Sequence, residues 1–219
     1  MFSFDHLFTL EFWLLTLPAI ILALTVHEFS HGYAAYRLGD RTAKVDGRLS
    51  FNPIRHVDPI GLILLIIFRF GFAKPVMVDP YNLRNPKQDM AIIAAAGPLS
   101  NLIFGFVAML IVMPIHILTR GNTNIVTNYI IEFFVILVQI NIGLAVFNLI
   151  PIPPLDGSKI LACFLPTDLY FRFISFRHGI ILILLLAWGG AFIGIIPAII
   201  FAIFDTFESA ARFIFGFLV

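Results

Sequence analysis

Residues 12–26 read FWLLTLPAIILALTV, and the next five, His27 to His31, read HEFSH. The first run carries no charge, and with its flanks it is long enough to cross a bilayer as a helix, which needs roughly 20 residues. On a helix, His27 and His31 fall on one face a turn apart, where both imidazoles can hold one metal ion. Glu28, between them, can reach a water at that metal. From this chain's own His and Glu frequencies, His-Glu-x-x-His arises by chance somewhere in it with a probability on the order of 0.3%. Ionisable groups at membrane depth are costly unless partnered, and coordination supplies the partner.

Composition agrees with a membrane setting. Of 219 residues, 60% are hydrophobic and 12% charged, and the mean hydropathy is +0.98, outside the range of soluble domains. A net charge of +1 argues against a nucleic-acid partner. The single cysteine, Cys163, excludes an intramolecular disulfide and reads as a small buried apolar residue. The first apolar segment contains the histidine motif, so it is not expected to be a cleavable signal.

Four stretches are long enough to span: residues 8–36, 91–119, 133–155 and 179–204. Pro18 allows a kink ahead of the motif. Residues 60–68 are apolar but too short to cross, and read as a re-entrant or interfacial element. These features predict an all-α polytopic membrane protein. Its bundle has about four to six transmembrane helices, with a re-entrant or β-like segment between the first two spans, in one membrane-embedded domain over residues 1–219. The longest polar segment carries Arg37, Arg41, Lys44, Arg48, Arg55, Lys74, Arg84 and Lys87, which makes it cytoplasmic by the positive-inside bias. Lys159, Arg172 and Arg177 fall on the same side, and Arg120 flanks the opposite loop. The tail, residues 201–219, carries Asp205, Glu208 and Arg212 as one polar stripe. It is expected to lie at the interface or to pack on the bundle through that stripe.

A catalytic zinc takes three protein ligands and leaves one position open. Asp156 is the outstanding third candidate, directly after an apolar span and the sequence Asn148-Leu149-Ile150-Pro151-Ile152-Pro153-Pro154-Leu155. Prolines there prevent a helix, and broken backbone at membrane depth belongs in a protein-lined or watery cavity. A helix N-cap is the alternative role for Asp156. Asp40, Asp46 and Asp58 are expected to be solvated loop residues, and Glu132 to lie on the far side. His6, His116 and His178 fall at span ends, and His56 reads as a loop residue.

These residues resemble the site-2 protease family of intramembrane zinc metalloproteases, peptidase family M50. The resemblance rests on His27 to His31, Leu155-Asp156-Gly157, Ala96-Gly97-Pro98-Leu99-Ser100-Asn101 and Gly71-Phe72-Ala73-Lys74-Pro75-Val76. It implies one catalytic Zn2+ held by His27, His31 and Asp156, with Glu28 as general base. It also implies Asn148 at the scissile carbonyl, and substrate contacts from Lys74, Pro75 and Val76 as an added edge strand. Pro75 and Pro80 disfavour helix, and Val76 and Val78 alternate as a strand would. Asn101 is placed with the substrate contacts, and the Gly97-Pro98 motif is divided between helix packing and substrate access. The resemblance is to a short form without the PDZ or CBS domain and the additional span that many relatives carry.

The implied activity is that of a zinc metalloendopeptidase cutting transmembrane protein substrates in or near the bilayer, in regulated intramembrane proteolysis. The expected location is the plasma membrane, with the site toward the cytoplasm. The alternative is a membrane metal transporter or sensor using the same His/His/Asp trio.

Overall fold

The computed structural model describes residues 10–68, 71–119, 123–174, 179, 181, 183 and 191–218. Its helices are α1 (Leu10–Leu38), α2 (Thr42–Val45), α3 (Pro59–Phe68), α4 (Pro86–Thr119), α5 (Ile125–Asn148), α6 (Asp156–Ala162), α7 (Thr167–Ile174) and α8 (Ala191–Phe215). Short 3-10 turns occur at Pro53–Arg55, Pro80–Asn82 and Gly216–Leu218. Among the described residues, α1, α4, α5 and the Gly194–Phe215 part of α8 are long and apolar enough to cross a membrane. The all-α membrane bundle therefore holds.

The bundle core is formed by α1, α4 and α5, with α8 against α4 and α5. Ala19 of α1 meets Ala108, Met109 and Val112 of α4, Leu137 and Val138 of α5, and Ala211 of α8. Alanines on α1, α4 and α8 let these helices approach closely, and larger aliphatic side chains fill the space between them. At α3, ten residues give a helix of about 15 Å, half a bilayer core, as its length in the sequence requires.

Several span boundaries differ from the sequence reading, the second and third spans beginning at Pro86 and Ile125 rather than at 91 and 133. The third span ends at Asn148 rather than 155, because the prolines from Pro151 onward leave residues 149–155 as turns. At the other end of the chain α8 runs on to Phe215, making the polar tail up to that residue part of one helix; most of residues 179–190, with His6, Arg120, Arg177 and His178, lie outside the described residues. The stripe is also reversed. Phe204, Phe207 and Ala211 face the bundle, while Asp205 and Arg212 are exposed.

The β-like segment is extended but forms no ladder among the described residues. Among these it makes a single antiparallel bridge, between Val57 and Ala73, continued by Lys74 N–H donating to His56 O at 2.8 Å. Asp40, expected to be solvated, and His56, read as a loop residue, are fully buried. Asp40 accepts from Thr42 N and Oγ1, Asp79 N and Asn82 Nδ2, latching the end of α1 to residues 79–82. His56 donates from Nε2 to Ser50 O at 2.7 Å.

Candidate metal centre

Each ligand candidate is delivered by a local feature of the chain. The helical repeat of α1 sets His27 and His31 a turn apart, ring centroids 4.5 Å apart and edge to face. Asp156 is the first residue of α6, where the chain resumes helix after the proline break. A side chain on the next residue could not fit, since a Cβ on Gly157 would lie 2.2 Å from Leu149 O and 2.6 Å from Ile150 O. Glycine there lets α6 start tight under the end of α5, bringing Asp156 back to α1. The N-cap position belongs to Leu155, without a side-chain cap bond, so Asp156 is not spent on capping.

The three ligand atoms converge. His27 Nε2 and His31 Nε2 are 3.0 Å apart, and Asp156 Oδ2 lies 3.2 Å from the first and 3.0 Å from the second. Two ligands of a tetrahedral zinc at about 2.05 Å are separated by about 3.3 Å, so this triangle is of the right size. Lone-pair chemistry agrees. His27 Nδ1–H donates to Asn101 Oδ1 at 2.6 Å and His31 Nδ1–H to Ile93 O at 2.7 Å. With the Nδ1 positions protonated, both Nε2 atoms present lone pairs to a carboxylate oxygen, an arrangement that repels itself until a cation enters. His27, His31 and Asp156 can thus hold a metal ion.

Behind His27 stands a buried amide relay. Asn101 Nδ2 donates to Ala23 O at 3.0 Å and to Asn141 Oδ1 at 2.8 Å, and Asn141 Nδ2 donates to Leu137 O at 2.8 Å. Both of the Asn101 amide hydrogens are used, which fixes its oxygen toward His27. Asn101 is fully buried and its polar atoms are engaged inside the protein. Its amide oxygen is thereby held against His27, whereas the sequence reading placed Asn101 among the substrate contacts. Gly97 is likewise a packing residue: a Cβ there would be 2.6 Å from His31 Nε2 and 2.7 Å from His27 Cε1.

The site opens on a cavity of about 660 Å³ between α1, α3 and α5. Its walls are apolar, with Ile20, Ile21, Leu24, Leu62, Leu65, Ile140, Leu144 and Phe147, while His27, Glu28, Asp58 and Asn148 supply polar groups. Asn148 lines it while donating from Nδ2 to Leu144 O at 2.9 Å. Glu28 is half-buried and accepts from Val76 N–H at 2.9 Å. Lys74 and Pro75 are exposed, and Val76 is half-buried. The buried Arg48 guanidinium donates to Lys74 O. Burial lowers the Arg48 pKa although Glu28 and Asp46 favour its charge.

Asn141 and Arg48 were missed from sequence. Asn141 had a signal, as an amide inside an apolar span two turns before Asn148. Arg48 had none, being one of many cations in a basic loop. Asp46 is exposed, and Asp58 caps α3 through Ile60 N and Gly61 N. Glu132 is exposed and His116 sits in the last turn of α4; neither joins the centre.

Comparison with known proteins gives the same direction. The model of peptidase family M50 matches residues 111–186, which include Asn148 and Asp156. YwhC of Bacillus subtilis is 39% identical over 147 residues, covering 67% of each chain. MJ0611 of Methanocaldococcus jannaschii is 30% identical over 73% of this chain and 75% of its own. Rip2 of Mycobacterium tuberculosis H37Rv is 28% identical over 64% of this chain, and the match spans about half (53%) of Rip2. The names of all three describe zinc metalloproteases, and no solved structure matches significantly. With a His/His/Asp centre in an apolar helical bundle, and with YwhC and MJ0611 covered over two thirds of their length, this chain belongs to peptidase family M50, the zinc metalloproteases.

Proposed function

We propose that this chain is an intramembrane endopeptidase that hydrolyses peptide bonds of membrane-protein substrates, with its site toward the cytoplasmic side of the plasma membrane. The observation that carries this reading is the convergence of His27 Nε2, His31 Nε2 and Asp156 Oδ2 beside an apolar cavity inside a spanning bundle.

In this reading His27, His31 and Asp156 hold the zinc. The ion supplies Lewis acidity, making a water more acidic and polarising a carbonyl. Glu28 shares the cavity with His27 and accepts the proton of the attacking water, then returns it to the leaving amine. Asn148, on the same cavity, offers its amide to the scissile carbonyl. The apolar walls accommodate side chains from a membrane segment and keep bulk water out.

A membrane helix must unwind to be cut, because its carbonyls are hydrogen-bonded and shielded. Residues 74–78 offer the unwound chain a partner. Lys74 and Val76 turn their backbone groups inward, to His56 O, Arg48 and Glu28. Among the described residues, Met77 N–H and the Pro75 and Met77 carbonyls have no partner, as on a free strand edge. A transporter needs a polar path, whereas this cavity is mainly apolar and the nearby Asn101 and Asn141 amides bond to each other.

Glu28→Gln tests the assignment. Expected is full zinc content with cleavage of a model transmembrane substrate in proteoliposomes reduced by at least about 10³-fold, the scale of a lost general base. Cleavage at the wild-type rate would overturn it.

A further inference from the structure

The reversed stripe on α8 has a depth that the packing fixes. Phe207 lies beside Gly105, and its ring is 5.1 Å from Phe106. Gly105 is about 12 Å of helix beyond Gly97 at the metal centre. Ala211 shares its cluster with Ala19, the midpoint of the uncharged run Phe12 to Val26. Asp205, Glu208 and Arg212 therefore stand near the middle of the spanning bundle, away from both polar ends.

At that depth they are turned outward. Arg212 is 54% and Glu208 33% exposed at the side chain. These two neutralise each other, with Arg212 Nε and Nη2 donating to Glu208 Oε1 at 2.9 and 2.7 Å. Asp205 is exposed and has no partner among the described residues, which leaves the face with one uncompensated carboxylate. Ala202, Thr206 and Ser209 are exposed beside it, and Thr206 Oγ1 is folded back onto Ala202 O at 2.7 Å. Small side chains here allow a second helix to approach closely, and ionisable groups at such depth are almost always paired.

We infer that this face of α8 docks a transmembrane helix of another protein that carries one Lys or Arg near mid-span, set against Asp205. Charge selects the occupant. A second copy of the chain, packed through the same face, brings Asp205 toward Asp205 while each Arg212 is already committed to Glu208. Lipid offers no cation at that depth. None of the residues lining the cavity belongs to α8, so the docked helix is a companion and not the segment that enters the cleavage site.

The experiment uses the full chain in lipid nanodiscs with a donor dye on an added terminal tag, and acceptor-labelled polyleucine transmembrane peptides. The peptides carry a central Lys, Leu or Glu. Expected is energy transfer with the Lys peptide alone, weakened at least tenfold by the isosteric Asp205→Asn, which leaves zinc content and cleavage of a model substrate at wild-type levels. Equal binding of Lys and Leu peptides, or undiminished Lys binding to Asp205→Asn, overturns the proposal. So does self-association in sedimentation that Asp205→Asn abolishes, which makes a second copy the occupant. Labelling of a cysteine at position 205 by an aqueous maleimide in intact membranes overturns it as well, because the face then lies in water.

Discussion

Single residues tune the centre from behind. Asn101 holds the Nδ1 proton of His27, and loss of such a partner costs 10- to 100-fold in metal affinity. Asn101→Leu is therefore expected to weaken zinc binding by about that factor in chelator competition. Asn141→Leu is expected to follow with a smaller loss, because it frees the Asn101 amide to turn. Gly97→Ala is expected to lower zinc content as well, since the new methyl displaces both imidazoles. Farther out, Asp40 is the pH-sensitive latch. Burial pushes its pKa up, but hydrogen bonds from Thr42, Asp79 and Asn82 outweigh burial and hold it below the ordinary value. A depressed folded pKa stabilises the fold above the unfolded pKa, and the contribution is lost as pH falls through the folded value. Asp40→Asn should flatten the acid-side decline in thermal stability measured in detergent across a pH series.

At the scale of elements, the proline break and the extended segment matter most. A helix running on past Asn148 would leave no turn to bring Asp156 under α5, and Gly157 permits the tight restart. Gly157→Ala meets backbone oxygens that cannot move aside cheaply, so reduced expression of folded protein is expected, read by size exclusion. The extended segment allows a more selective experiment. Met77→Pro removes the outward N–H of the free edge and touches no ligand. Zinc content should stay the same while kcat/KM for a membrane substrate falls about tenfold, the scale of one lost backbone hydrogen bond. Unchanged kcat/KM would exclude strand addition at that edge.

For the whole molecule, the sidedness proposed here can be measured. With Cys163 replaced by Ser, a lone cysteine at Asp46 should react with an impermeant maleimide only in inside-out vesicles, and one at Val126 only in right-side-out vesicles. Reaction of both from one face would overturn the alternation of spans. The sequence by itself determined the membrane class, the spans, the shared face of His27 and His31, and the break that frees Asp156. These are local matters, set by hydropathy, the helical repeat and the missing N–H of proline within one short stretch of chain. Tertiary structure alone decided that Asn101 is buried against His27, and that Asn141 and Arg48 stand near the centre. It also decided that Asp40 and His56 are buried, and that the polar stripe of α8 looks outward. Each of those depends on which distant backbone comes within hydrogen-bond reach. No periodicity records that, because an amide in a span or a cation in a loop has the same local signature whichever partner it meets.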